Sequence, residues 1–128
     1  MTPKRVQRKR ATGWRAPMCS CGCGKPARYV GRGTKWGNPY KVVEDTDGWK
    51  VIDLSARGYL DVLESGLSHE EAQGLAVFYF KDVFKNDWFG QIDAEEELGG
   101  HDLMCWCPLD APCHADVLLE YANAGSRA

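Results

Sequence analysis

The sequence predicts an α/β domain, a small mixed sheet flanked by two or three helices. Three observations carry this. Short β-branched and aromatic runs, separated by glycine and aspartate turns, occupy the first half of the 128 residues. An amphipathic stretch with its own capping signal follows them. After it a short apolar run, Leu103-Met104-Cys105-Trp106, passes through a proline-containing loop into another helical pattern. The length and the 44% apolar content suit one domain with a real core, spanning 1–128 with a basic arm at 1–17 and a Cys-rich loop at 18–26.

Taken in order, Lys4 to Arg10 suits an edge strand or a mobile arm. Residues 18–26 form a Cys/Gly/Pro loop, and Ala27 to Gly31 a short strand. Gly31 to Pro39 is glycine-rich. Tyr40 to Val43 and Trp49 to Asp53 are strand-like, with Thr46-Asp47-Gly48 as the turn between them. Tyr59 to Leu63 suits a further strand or a short helix. Ser68 caps the clearest helix and Glu71, three residues on, completes a capping box. Ala72, Leu75, Ala76, Tyr79, Phe80 and Val83 then mark its buried face. A shorter helix is expected from Asp93 to Leu98, stopped by Gly99-Gly100. Asp102 to Cys107 reads as a strand ended by Pro108, and the final helix starts near Cys113.

Charge is unevenly placed. Residues 1–43 contain eleven Lys or Arg and no acid, whereas 44–128 contain all eighteen acids and five Lys or Arg. The basic half either faces an external anion or folds against the acidic half. No apolar run is long enough for a membrane span, and the first residues lack the apolar core of a secretory signal. A cytoplasmic setting is therefore expected, and six cysteines there suggest metal or thiol chemistry before disulfides.

Those cysteines fall in two groups. Cys105, Cys107 and Cys113 stand beside His114 and Asp110. Cys107 and Asp110 would lie past a strand's carboxyl end, where α/β folds place ligands. Cys113 and His114 would open a helix, whose N-terminal dipole favours thiolates and anions. Four readings stay open: a Cys107 or Cys113 nucleophile assisted by His114 or Asp110, a zinc site, an anion site without chemistry, and buried core thiols with a satisfied histidine. In the other group, Cys19, Cys21 and Cys23 with glycine between them can wrap a soft cation, zinc by ligand preference. The fourth ligand would be His101 or a C-terminal cysteine. The loop carrying Arg28, Arg32, Gly33, Lys35, Trp36 and Asn38 has the glycine and positive charge of a substrate-binding loop. It equally suits a tight turn in which Trp36 plugs the core. It matches neither the Walker nor the Rossmann pattern.

The motifs Lys35-Trp36-Gly37-Asn38-Pro39, Asp102 through Pro108, and Cys113-His114-Ala115-Asp116-Val117-Leu118, in this order, resemble domain of unknown function 4326. That family is found in bacteriophage and bacterial genomes, which implies a host cytoplasm if the chain is phage-encoded. The Cys19–Cys23 loop looks like an insertion relative to the family pattern. The Cys…Cys-His ending before a helix is also similar to domain of unknown function 488. Neither resemblance carries an activity. The expected function is an enzyme acting on a nucleotide or nucleic-acid-derived substrate. Arg28, Arg32 and Lys35 would hold phosphate, Asn38 would orient the substrate, and Cys107 or Cys113 with His114 would do the chemistry. The alternatives are a zinc-supported nucleic-acid-binding module and an accessory protein that binds a host protein.

Overall fold

The computed structural model describes residues 3–54 and 61–124. Its elements in chain order are β1 (Arg5–Gln7), β2 (Arg28–Tyr29), β3 (Tyr40–Asp45), β4 (Gly48–Asp53), β5 (Asp61–Leu67), α1 (His69–Phe84), α2 (Trp88–Leu98), β6 (Leu103–Cys105) and α3 (His114–Ala122). The chain is mixed α/β, as expected, but its strands divide between two sheets. One is parallel, with the order β1-β6-β2, and the other is the antiparallel meander β3-β4-β5.

The meander is locally encoded. Asp45 pairs with Gly48, so Thr46-Asp47 is the two-residue turn. Gly48 has φ +123°, and a Cβ there would lie 2.9 Å from the Leu67 carbonyl oxygen on β5. The third strand runs from Asp61 to Leu67, later than the Tyr59–Leu63 expectation, of which Tyr59 and Leu60 lie outside the described residues.

In the parallel sheet β6 sits in the middle. Arg5 and Arg28 both register with Leu103, and Val6 and Tyr29 with Met104. All three residues of β6 are buried. A short apolar run followed by proline suits a strand covered on both faces. The basic segment therefore holds an edge strand at Arg5–Gln7.

Helix α1 joins the two sheets. Ala72 and Ala76 pack with Val51 of β4, while Phe80 and Phe84 enter the larger core with Val30, Leu98, Leu103, Val117 and Leu118. Its buried line is Ala72, Ala76, Phe80 and Phe84, and Val83 is exposed. Strict i, i+4 spacing selects this narrower stripe in place of the expected one through Val83. The helix starts where expected: Ser68 Oγ accepts the Glu71 N–H at 3.1 Å and Glu71 Oε1 accepts the Ser68 N–H at 3.0 Å. Helix α2 starts five residues before the expected Asp93. Asp87 caps it by accepting the Gly90 N–H at 3.0 Å. Trp88 and Phe89 in its first turn are exposed, so no apolar periodicity marks that start.

Candidate functional site

The strand β6 leads straight into the C-terminal cysteine segment. Cys105 is its last residue, Cys107 follows across Trp106, and the loop from Pro108 to Pro112 returns the chain to Cys113, the N-cap of α3. The sulfurs of Cys105, Cys107 and Cys113 lie within 4.8 Å of one another. Cys105 and Cys113 are buried with their sulfurs 2.9 Å apart, and all three are free thiols.

His114 sits beside this group. Its Nε2 lies 2.7 Å from the Val30 carbonyl oxygen. A carbonyl only accepts, so Nε2 carries the proton and Nδ1 is left facing Cys113 Sγ at 3.7 Å. Proton transfer from Cys113 to Nδ1 would produce a thiolate and an imidazolium whose two N–H groups are both bonded. The Phe80 ring meets the imidazole edge to face at 5.3 Å between centroids, which fixes its plane.

Arg5 of β1 braces the cysteine segment, and its side chain is only 8% exposed. Nη2 donates to the carbonyls of Pro108, Leu109 and Ala111 at 3.1, 2.8 and 2.8 Å, which ties down the loop. Nε lies 3.5 Å from Asp116 Oδ1, and Nη1 is buried with no hydrogen-bond partner. Burial opposes the guanidinium charge, but Cys113 and Asp116 outweigh it and raise the Arg5 pKa. The thiols divide accordingly. Hydrogen bonds from Cys105, then Cys107, hold Cys113 well below the usual thiol range against burial, with further help from His114. Cys105 is raised by Cys107, Cys113 and burial. At Cys107 the bond to Cys105 pulls down, but Cys113 and burial prevail and raise it. Of the three thiols, Cys113 is the one drawn towards the thiolate form.

A cleft of about 580 Å³ opens over this group. Its lining includes Gly31, Arg32 and Asn38 from the glycine-rich loop and Cys105, Cys107, Cys113 and His114 from the cysteine segment. Tyr40, Lys41 and Val42 of β3 and His69, Gln73 and Ala76 at α1 supply the other wall. The cleft therefore lies at the carboxyl ends of β2 and β6, where parallel strands gather ligands. Tyr29, Trp106 and Arg10 also border it. Arg8 lies 4.7 Å from the Tyr29 ring centroid and 4.9 Å from that of Trp106, and Arg10 lies 4.7 Å from the latter. The Trp106 indole donates to Tyr29 Oη at 3.1 Å. Arginine planes on linked aromatic rings make a cationic platform.

Other expected site residues are engaged in bonds of their own or stand outside the cleft. Asn38 reaches the cleft wall, but its amide donates to the Ala76 carbonyl at 3.2 Å and its oxygen accepts the Tyr40 N–H at 2.9 Å. Arg28 turns to the Pro26 carbonyl and to Cys23 Sγ. Lys35 pairs with Glu97 of α2, and Trp36 packs against the main core. Gly33, with φ +91°, shapes the turn and does not line the cleft. Asp110 is exposed in the loop and outside the cleft lining. Arg10, Tyr29, Lys41 and Trp106 also line the cleft and Arg5 anchors the cysteine loop, although none of them stood out as a site residue in the sequence. Their only signals were positive charge and aromaticity, which do not say what they face.

The N-terminal cysteines form a separate cluster. Ligand atoms of Cys19, Cys21, Cys23 and His101 all lie within 4.8 Å of one another, a set able to hold a metal ion. The fourth member is His101, one of the two sources expected. Cys21 is pushed up to about 11 by hydrogen bonds from Cys19 and Cys23, and Cys23 is drawn down to about 7, chiefly by a backbone hydrogen bond at Lys25.

The family model described as Domain of unknown function (DUF4326) matches residues 6–124. The chain belongs to this family. The match runs from β1 through α3 and so takes in both cysteine clusters and the cleft. No curated protein and no solved structure matches the chain. Among the described residues, no helix is long and apolar enough to cross a membrane.

Proposed function

We propose that the cleft is the active site of a thiol enzyme acting on a nucleotide or nucleic-acid-derived substrate, with the Cys113 thiolate as nucleophile and His114 as its proton acceptor and donor. The observation that carries this reading is the convergence of the Gly31–Asn38 loop and the Cys105–His114 segment on one cleft. Arg10, Arg32 and Lys41 offer positive charge to a phosphate, and Tyr29 and Trp106 offer stacking faces to a base. Cys105 and Cys107 support the thiolate by hydrogen bonding, and Arg5 supplies a positive charge that interacts with it. In this reading the Cys113 sulfur attacks an electrophilic carbon or phosphorus, and the bond to the leaving group breaks as the bond to sulfur forms. His114 passes the thiol proton to the leaving group.

The test is alkylation of the native protein by iodoacetamide across a pH series, with peptide mapping, in the presence and absence of nucleoside monophosphates. The expected result is labelling of Cys113 well below pH 8 and its suppression by a nucleotide. Labelling of Cys113 only above pH 8, protection by no nucleotide, or a metal ion held by these three thiols would each overturn the reading.

The arginine–aromatic platform favours one second reading, a nucleic-acid-binding module using the same basic rim. It predicts affinity for single-stranded nucleic acid that falls steeply with salt in a filter-binding titration.

A further inference from the structure

We propose that Cys19, Cys21, Cys23 and His101 bind one zinc ion in a closed structural site that fastens the N-terminal cysteine loop to the start of β6. The proposal stands apart from the reading of the cleft and shares no residue with it.

Three edges of the donor set come near those of a zinc tetrahedron, and Cys23 Sγ lies within 4.8 Å of the other three ligand atoms. With Zn–S bonds of about 2.3 Å, the edges of such a tetrahedron measure about 3.7 Å. Here His101 Nδ1 lies 3.7 Å from Cys19 Sγ and 3.3 Å from Cys21 Sγ, and Cys19 and Cys21 are 3.2 Å apart. Three thiolates and an imidazole are a soft set that suits zinc in tetrahedral coordination. Four protein ligands leave no position for substrate, which is the arrangement of a structural site.

The backbone is shaped to the same end. Gly22 and Gly24 have φ values of +84° and +79°, a region that other residues rarely adopt. The Cys19 N–H donates to the Lys25 carbonyl at 2.9 Å and the Gly22 N–H to the Cys19 carbonyl at 3.2 Å, which curls three thiols around one point. Met18 and Pro26 close the base of the loop as an isolated antiparallel bridge.

The surroundings supply the outer hydrogen bonds that a thiolate-rich site needs. The Asp102 N–H donates to Cys19 Sγ at 3.3 Å. The Asp102 carboxylate accepts from the Ser20 N–H and hydroxyl, both at 2.8 Å, and from the Lys4 N–H at 3.0 Å. Asp102 thereby binds β1, the cysteine loop and β6 together. Arg28 Nη2 lies 3.8 Å from Cys23 Sγ and offsets the net negative charge of three thiolates around a dication. Arg28, expected to hold a phosphate, thus has a role in the structure as it stands.

The experiment uses the full native chain. Elemental mass spectrometry should find one zinc per chain. Iodoacetamide mapping should show Cys21 and Cys23, both exposed, protected until a chelator is added, when their labelling rises by on the order of tenfold or more. The Cys21→Ser/Cys23→Ser double variant should lose the zinc. Absence of stoichiometric metal, a disulfide among these cysteines, labelling indifferent to chelator, or zinc retained by the double variant would overturn the proposal. The wild-type labelling arm does not depend on any variant folding. Cys113 is read in the same peptide map, so failure of the cleft reading and failure of the zinc site are separately visible.

Discussion

At the scale of single residues, the adjacency of Cys113 and His114 was legible from the sequence, whereas the approach of Arg5 to the same segment was not. Arg5 is over a hundred positions from the loop it holds. Its charge favours the Cys113 thiolate, so Arg5→Met is expected to raise the Cys113 pKa and move its alkylation–pH profile to higher pH. A reactivity profile identical to wild type would show that Arg5 only anchors the loop. Asn38 lines the cleft and also bonds the backbone. The sequence offered it as a ligand contact, but a short amide beside a turn can also satisfy backbone groups. Here it bonds the Ala76 carbonyl and the Tyr40 N–H, so it pins the loop to α1 and β3. Asn38→Ala is expected to cost about 1–2 kcal/mol in chemical denaturation.

At the scale of elements, local signals worked where they were self-contained. Ser68 and Glu71 needed only each other, and the capping box forms at the predicted place. Ser68→Ala should cost about 1 kcal/mol. The Glu71 pKa is lowered, first by the Ser68 backbone N–H and then by its hydroxyl. Its contribution is therefore fully present above the unfolded carboxyl pKa of about 4.3 and is lost as pH falls through the lower folded value. Unfolding free energies of wild type and Glu71→Gln should accordingly converge as pH falls through that window. Helix α2 shows where such signals fail. Its first turn exposes Trp88 and Phe89, at 70% and 76%, so the apolar pattern that marks a helix is absent where this one begins.

At the scale of the whole molecule, the uneven charge resolves in part. Arg5 pairs with Asp116 and Lys35 with Glu97, so some of the basic half folds against the acidic half. Arg10, Arg32 and Lys41 border the cleft instead. The parallel sheet depends on β6, whose Leu103 is fully buried between strands from the first thirty residues. Leu103→Ala is expected to cost about 2–5 kcal/mol in thermal or denaturant unfolding. The sequence by itself determined the α/β class, the β3–β4 turn, the cap of α1 and the residue types of both cysteine clusters, because each rests on neighbours along the chain. Only the tertiary structure decided that the strands form two sheets, that His101 completes the first cluster, and that the glycine-rich loop faces the second. Those outcomes follow from inserting β6 between β1 and β2. Parallel pairing joins segments far apart in the chain, and no local pattern specifies which of them become neighbours.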